Sequence, residues 1–137
     1  MSCKVYELGG LSDYKFVVVL SKYNGRYLFS RHKNRLTWET QGGHIEKSES
    51  SLDAAKRELY EESGAVSYSI VPVFDYFVQN DGGSASGVVF IADISELSEM
   101  PDSEMAEVGF FTSLPLELTY PDITPVLFSE ARERFGF

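Results

Sequence analysis

The alternation of hydrophobic and polar residues predicts two strands joined by a tight turn early in the chain. The β-branched run Tyr14–Leu20 is typical of a buried strand, and Asn24-Gly25 is a strong signal for a hairpin turn. The turn would pair this strand with a second one at Arg26–Ser30. A further short strand is expected at Leu36–Thr40.

The strongest helical pattern follows these strands. Ser50 has the side chain of an N-cap, and Gly64 stands where a left-handed C-cap residue belongs. Together these signals predict a helix from Ser51 to Ser63. Its apolar stripe consists of three residues at helical spacing, namely Leu52, Ala55 and Leu59.

The second half of the chain favours strands and then a last helix. Ser67–Val78 is strand-like, and Pro72 within it indicates an edge position or a bulge. Gly87–Ile94 is a further apolar strand. The other expected segments are a turn at Asp81–Gly87, an acidic loop at Ser95–Ala106 and a strand at Glu107–Phe111.

Thr124-Pro125 resembles an N-cap followed by proline at the first position of a helix. The buried side of this C-terminal helix is expected to carry Leu127, Phe128, Ala131 and Phe135. The order of strands, helix, strands and helix predicts an α/β fold, in which helices pack on a mixed sheet. A chain of 137 residues fits one domain, spanning 1–137.

The composition narrows the possible partners. The formal net charge is -9, so the surface repels polyanions, and neither nucleic acid nor an anionic membrane is an expected partner. The single cysteine, Cys3, allows no internal disulfide, and the first residues lack the apolar core of a signal peptide. A cytoplasmic protein is therefore expected. A small phosphate ligand would need a cation to mediate its binding.

Three glutamates crowd one arc of the predicted central helix. Glu58, Glu61 and Glu62 are neighbours at i, i+3 and i+4, where like charges repel. Lys56 and Arg57 are expected to project elsewhere and to leave the cluster unneutralised. A hard divalent cation such as Mg²⁺ would resolve this conflict. The alternative is a helix face that is simply solvated.

The surrounding residues favour the metal site. The spacing of Gly43, Glu49, Arg57-Glu58, Glu61-Glu62 and Gly64 resembles the Nudix box of the Nudix hydrolase family, in a MutT-like form. The chain departs from the family pattern at two places: Ala65 replaces a larger aliphatic residue, and Gln41 replaces a proline. The resemblance implies an α/β/α sandwich with a mixed β-sheet and a catalytic loop-helix-loop.

The resemblance also implies roles for residues. The metal, Mg²⁺ or Mn²⁺, would be held by Glu58, Glu61, Glu62 and a backbone carbonyl of Gly42. Catalysis would depend on Glu58, Glu61, Arg57 and Glu49, with Arg57 orienting the carboxylates and Glu49 as its partner. The identity of the general base stays open. The implied reaction is hydrolysis of a nucleoside diphosphate linked to another group.

Substrate contacts are expected outside the box. Arg31 and Arg35, in the basic segment "RHKNR", are candidates for binding the outer phosphates, although a solvated turn is the alternative. Trp38 is a candidate for stacking on a base, or else a core residue. Gly43 is also a candidate substrate contact, because a residue without a side chain lets the backbone approach the substrate closely. Glu104, or in its place Glu107, is a candidate for an additional acid, the alternative being a solvated loop residue.

The expected substrate is a small nucleotide, above all a nucleoside triphosphate, including oxidised ones, cleaved to the monophosphate and pyrophosphate. A monomer or a homodimer is expected. One alternative is a non-catalytic, nucleotide-binding regulatory Nudix module, but such modules usually lose box glutamates. Another is an isopentenyl-diphosphate isomerase, against which the terminal position of Cys3 argues.

Overall fold

The structure is a computed structural model that describes all 137 residues. Seven strands form one mixed sheet in the order β1-β5-β6-β2-β3-β7, and the short β4 pairs with β2. The strands are β1 (Ser2–Glu7), β2 (Phe16–Tyr23), β3 (Arg26–His32), β4 (Gln41–His44), β5 (Ala65–Asn80), β6 (Gly83–Leu97) and β7 (Met105–Phe111). The helices are α1 (Ser51–Ser63) and α2 (Thr124–Phe135).

The two helices cover opposite faces of the sheet. On one face, Val17 and Val19 of β2 pack with Ala55 and other buried residues of α1. On the other face, Leu20 packs in a second cluster with Leu127 of α2. Alternate side chains of a strand point to opposite faces, so β2 serves both cores. The predicted α/β/α sandwich with a mixed sheet is confirmed.

Helix α1 has the predicted bounds because its caps are local. The Ser50 side chain accepts a hydrogen bond from the Asp53 N–H at 3.1 Å. Gly64 ends the helix with φ of 81°, a left-handed conformation that favours glycine. A Cβ at Gly64 would lie 2.8 Å from the carbonyl oxygen of Ser98, so packing also excludes a side chain there. These caps determine where the glutamates lie.

The strand predicted at Leu36–Thr40 is wrong. The strand in this region is β4, Gln41–His44, which pairs antiparallel with Phe16–Val19 of β2. Glycine has a low intrinsic preference for strands, so local propensity argues against a strand at Gly42-Gly43. Pairing with the buried strand β2 overrides that propensity.

Several other boundaries differ from the predictions. Strand β1, paired with Phe74–Gln79 of β5, has no signal in the sequence pattern. Strand β6 begins at Gly83, so the predicted turn at Asp81–Gly87 is mostly strand and the acidic loop after β6 is shorter. Pro72 lies at an irregularity in the β5–β6 register, as its bulge signal predicts.

The ends of α2 also differ from the predictions. Ile123, not Thr124, is the N-cap residue, and no side chain caps the helix. Phe135 is 41% exposed, although its ring stacks on Phe74 with centroids 6.0 Å apart. Neither helix is long and apolar enough to cross a membrane.

Candidate active site

Glu62 is the most deeply placed of the three box glutamates. Its Oε1 accepts a hydrogen bond from the Gly42 N–H at 2.8 Å, which joins the end of α1 to β4. Desolvation by burial raises the pKa of Glu62 to about 9, and the Gly42 hydrogen bond only partly opposes this shift. No arginine or lysine pairs with this carboxylate, so a bound cation would relieve the cost of its charge.

Arg57 is the centre of the ionic network beside Glu62. Its guanidinium donates to both oxygens of Glu49, at 2.8 and 3.0 Å, and to Glu58 Oε1 at 2.8 Å. It also donates to the His44 carbonyl at 3.1 Å and lies 3.6 Å from Glu61. The hydrogen bonds from Arg57 lower the pKa of Glu49 to about 2.

The expectation that Arg57 projects away from the cluster is wrong. The side chain is long enough to fold back along the helix, so it neutralises part of the charge of Glu58 and Glu61. Burial nevertheless raises the pKa of Glu58, because desolvation outweighs the contact with Arg57. The Arg57–Glu49 contact has the geometry that the family resemblance implies.

Two glycines allow β4 to approach the acids and β2. A Cβ at Gly43 would lie 2.7 Å from Glu58 Oε1, so any larger residue would displace this carboxylate. Gly42 has φ of 152°, and a Cβ there would collide with the backbone of Val17. Both positions therefore depend on glycine for close backbone approach.

The chemistry of these residues fits a hard divalent cation. The donors are carboxylate oxygens and backbone carbonyls, the ligands that Mg²⁺ and Mn²⁺ prefer. Glu58 and Glu62 are both desolvated, and Glu62 has no cationic partner. In this arrangement no group of three Asp, Glu, His or Cys side chains lies close enough together to coordinate one metal ion.

A cavity of about 670 Å³ opens beside Gly42 and Gly43, on the sheet face that α2 covers. Its volume lies in the range of small-molecule sites. Its walls are mixed. The apolar residues include Phe16, Val18, Tyr76, Val78, Ile123 and Leu127, and the polar ones include Glu39, Thr40, His44, Asn80, Tyr120 and Thr124.

The basic segment 31–35 does not line this cavity. Arg31 Nε lies 2.7 Å from Glu107 Oε1, and Arg35 Nη1 lies 2.9 Å from Glu39 Oε1. Each arginine is therefore neutralised by a nearby acid. Arg35 reaches the site only indirectly, through Glu39 and Tyr120, which both line the cavity. Phosphate binding by these two arginines is not the arrangement that the structure favours.

Trp38 and Glu104 also lie outside the cavity. The Trp38 ring packs edge-on against Phe111, with centroids 5.1 Å apart, and covers Gly109. It belongs to the core on the α2 face. The Glu104 side chain is 86% exposed and lies 3.7 Å from His32. It touches none of the box glutamates.

Gln41, which replaces the proline of the family pattern, is fully buried in a polar chain. It accepts from the Ser21 hydroxyl at 2.7 Å and donates to Ser30 Oγ at 2.9 Å. Ser30 in turn donates to the Glu62 carbonyl at 2.7 Å. This chain ties the end of α1 to β2 and β3.

Sequence patterns do not single out several polar residues of the cavity. The period of two along a strand indicates which residues share a face, but not which face borders a cavity. Residues before α2 come from a loop with no pattern of its own. The residues missed in this way are Glu39, Tyr76 and Tyr120.

Comparison with known proteins identifies relatives of this chain. The NUDIX domain matches residues 13–125. A Bacillus subtilis protein with the provisional name 8-oxo-dGTP diphosphatase YtkD is 32% identical over 88 residues, covering 64% of this chain and 55% of the relative. The RNA pyrophosphohydrolase of Bartonella henselae is 34% identical over 105 residues, covering 63% and 60%. The chain thus spans somewhat more than half the length of these curated relatives.

Solved structures share the fold. The Bacillus subtilis pyrophosphohydrolase BsRppH superposes with a TM-score of 0.81 at 23% identity, covering 96% of this chain and 90% of that one. The NUDIX domain of Shewanella oneidensis NrtR, solved with ADP ribose, has a TM-score of 0.68 at 18% identity, covering 94% and 93%. At these identities the similarity establishes the architecture alone.

Proposed function

The chain belongs to the NUDIX domain family, and we propose that it is a metal-dependent pyrophosphohydrolase that cleaves a nucleoside diphosphate linked to a second group. The main support for this proposal is the network of ion pairs and hydrogen bonds around Arg57. It holds Glu58 and Glu61 on the same helix face as Glu62, beside the two glycines that border the cavity. The complete set of box acids is what hydrolysis would require.

The metal, Mg²⁺ or Mn²⁺, would be held by Glu58, Glu61, Glu62 and the Gly42 carbonyl. It would neutralise phosphate charge and activate the attacking water. Arg57 holds Glu58 in place, and Glu49 holds Arg57 through two hydrogen bonds. We place the proton-accepting role at Glu58 or Glu61.

The proposed substrate is a nucleoside triphosphate, unmodified or oxidised, cleaved to the monophosphate and pyrophosphate. The cavity beside Gly42 and Gly43 has the volume for a small organic group, which supports a nucleotide. One relative is named for 8-oxo-dGTP and the other for RNA. The net charge of -9 and the ion-paired basic segment weigh against a polyanion such as RNA.

The test is a panel of substrates assayed with Mg²⁺ and with Mn²⁺ for phosphate and pyrophosphate release. The panel contains the four deoxynucleoside triphosphates, 8-oxo-dGTP, ADP-ribose and a 5′-triphosphorylated RNA. We expect pyrophosphate from a nucleoside triphosphate and no turnover by Glu62→Gln. Turnover of the RNA alone would overturn the proposed substrate. Binding without hydrolysis of any substrate would favour the regulatory module instead.

We also propose that residues 1–137 form one NUDIX domain, active as a monomer or a homodimer. Strand β1 precedes the matched residues but pairs with β5, and the end of α2 follows them and packs on the same core. Elements outside the family match are thus part of the same sheet and core. Size-exclusion chromatography with light scattering gives the oligomeric state.

A further inference from the structure

Lys15 is the only lysine or arginine among the residues that line the cavity. It is exposed and takes part in none of the ion pairs of the protein, whereas Arg31 and Arg35 are each paired with a nearby acid. A bound anion would not have to displace a carboxylate from Lys15. The positive charge of this side chain is therefore free to interact with a ligand.

The acidic residue that lines the cavity does not cancel the charge of Lys15. This residue is Glu39, and its Oε1 lies 2.9 Å from Arg35 Nη1. Because Glu39 is already neutralised by Arg35, the uncompensated side-chain charge at the cavity is the positive charge of Lys15. Lys15 thus offers an anion a local attraction in a protein whose net charge is -9.

Lys15 lies close to the glycines that border the box acids. Its carbonyl accepts a hydrogen bond from the Ile45 N–H at 2.9 Å, and Val17, two residues further along, pairs with Gly43. Two residues of strand span about 7 Å. Gly43 in turn touches Glu58, since a Cβ there would lie 2.7 Å from Glu58 Oε1. A phosphate chain that starts at the box acids can therefore extend to the side chain of Lys15.

The backbone that carries Lys15 is fixed to the sheet. Asp75 is fully buried, and its Oδ2 accepts hydrogen bonds from the Leu11 N–H at 3.0 Å and from the Tyr14 hydroxyl at 2.6 Å. The Lys15 N–H donates to the Ser86 carbonyl of β6 at 2.8 Å. Only the side chain of Lys15 would have to be ordered by a ligand, which limits the entropy lost on binding.

We propose that Lys15 is a substrate-binding residue whose ammonium group binds a phosphate that the metal does not hold. This inference rests on the proposed function, because the metal at the box acids would hold another part of the same phosphate chain. Lysine binds phosphate as a compact point charge with three donors. The cationic contact with the substrate would thus come from the start of β2 and not from the segment 31–35.

The test changes the charge of Lys15 with Lys15→Gln and keeps it with Lys15→Arg. Lys4→Gln is the matched control, because Lys4 is also exposed and free of ion pairs but does not line the cavity. Calorimetry with Mg²⁺ at low and high NaCl measures binding of the α,β-methylene triphosphates of guanosine, adenosine, cytidine and uridine, and of inorganic triphosphate. Thermal unfolding without ligand measures the effect on the fold.

At low salt we expect Lys15→Gln to raise Kd by about three- to tenfold, both for the nucleotide that wild type binds most tightly and for inorganic triphosphate. High salt should narrow this difference, because it screens an exposed charge pair. Lys15→Arg and Lys4→Gln should stay within about twofold of wild type, since the first keeps the charge and the second lies outside the cavity. The Tm without ligand should be the same in all variants.

Two results would overturn this inference alone: a wild-type Kd in Lys15→Gln at low salt, or an equal loss of affinity in Lys4→Gln. A loss that affects the nucleotides but not inorganic triphosphate would also overturn it, because Lys15 would then contact the nucleoside. Failure of wild type to bind both the nucleotides and inorganic triphosphate would overturn the proposed function and this inference with it.

Discussion

Arg57 is the residue on which the arrangement of the acids depends. A lysine in its place carries the charge but has a single nitrogen, which cannot hold both oxygens of Glu49 and also reach Glu58. We expect Arg57→Lys to lower kcat/KM by about 10- to 100-fold, the usual effect of losing a residue that orients metal ligands. Steady-state kinetics at saturating Mg²⁺ measures this.

The neighbouring exposed residue provides the control for Arg57. Lys56→Ala removes a charge from the same turn of α1 without touching the network, so its kinetics should match wild type. If Arg57→Lys also kept wild-type kcat/KM, the two hydrogen bonds to Glu49 would have no part in catalysis.

The raised pKa of Glu62 predicts how the stability of the metal-free protein depends on pH. Its pKa is about 9 in the folded protein and near the ordinary 4.5 in the unfolded chain. Between these values the unfolded state releases a proton that the folded state keeps, so the free energy of unfolding falls as pH rises from about 4.5 to about 9. Glu62→Gln should flatten this dependence and raise Tm at pH 8 in chelator.

Thermal unfolding in EDTA at pH 5.5 and at pH 8.5 measures the effect. Glu61→Gln is the control, because Glu61 lies on the same helix with its side chain 47% exposed. It should keep the pH dependence of wild type. Parallel Tm curves for wild type and Glu62→Gln would show that burial does not shift the pKa of Glu62.

At the scale of elements, the basic segment 31–35 is held by acids of the protein itself. Arg31 and Arg35 pair with Glu107 and Glu39, so a substrate phosphate would have to break existing ion pairs. For the double variant Arg31→Ala, Arg35→Ala we expect KM within about twofold of wild type. We also expect a clear fall in Tm, because Glu39 is buried and would lose its only cationic partner.

Kinetics at low and high salt test this expectation. Lys33→Ala is the matched control from the same segment, since its only acidic contact is Asp102 at 3.5 Å. A large increase in KM that shrinks at high salt, seen in the double variant but not in Lys33→Ala, would support the role in phosphate binding inferred from the sequence.

At the scale of the whole molecule, the net charge of -9 repels an anionic substrate, so we expect binding to require a metal ion. We expect excess EDTA to stop hydrolysis and Mg²⁺ to restore it.

Mg²⁺ should also raise Tm without nucleotide, because a ligand that binds only the folded state stabilises it. Glu62→Gln should lose most of this Tm increase, and NaCl of equal ionic strength should not reproduce it. Full turnover by metal-stripped protein in EDTA would refute the metal requirement.

The sequence by itself determined the features that depend on neighbours along the chain. The bounds of α1 follow from Ser50 and Gly64, and the arc of Glu58, Glu61 and Glu62 follows from helical spacing. The hairpin at Asn24-Gly25 is likewise local, since β2 and β3 pair directly across it. These interactions join residues a few positions apart, so short patterns suffice to predict them.

Tertiary structure alone decided the features that depend on distant partners. Strands β1 and β4 exist because β5 and β2 offer edges to pair with, against weak local propensity. The burial that raises the pKa of Glu62 comes from packing around the end of α1. The cavity joins residues of β2, β5 and α2 that are far apart in the chain. No spacing in the sequence encodes these contacts, because they form only when the sheet closes and the helices cover it.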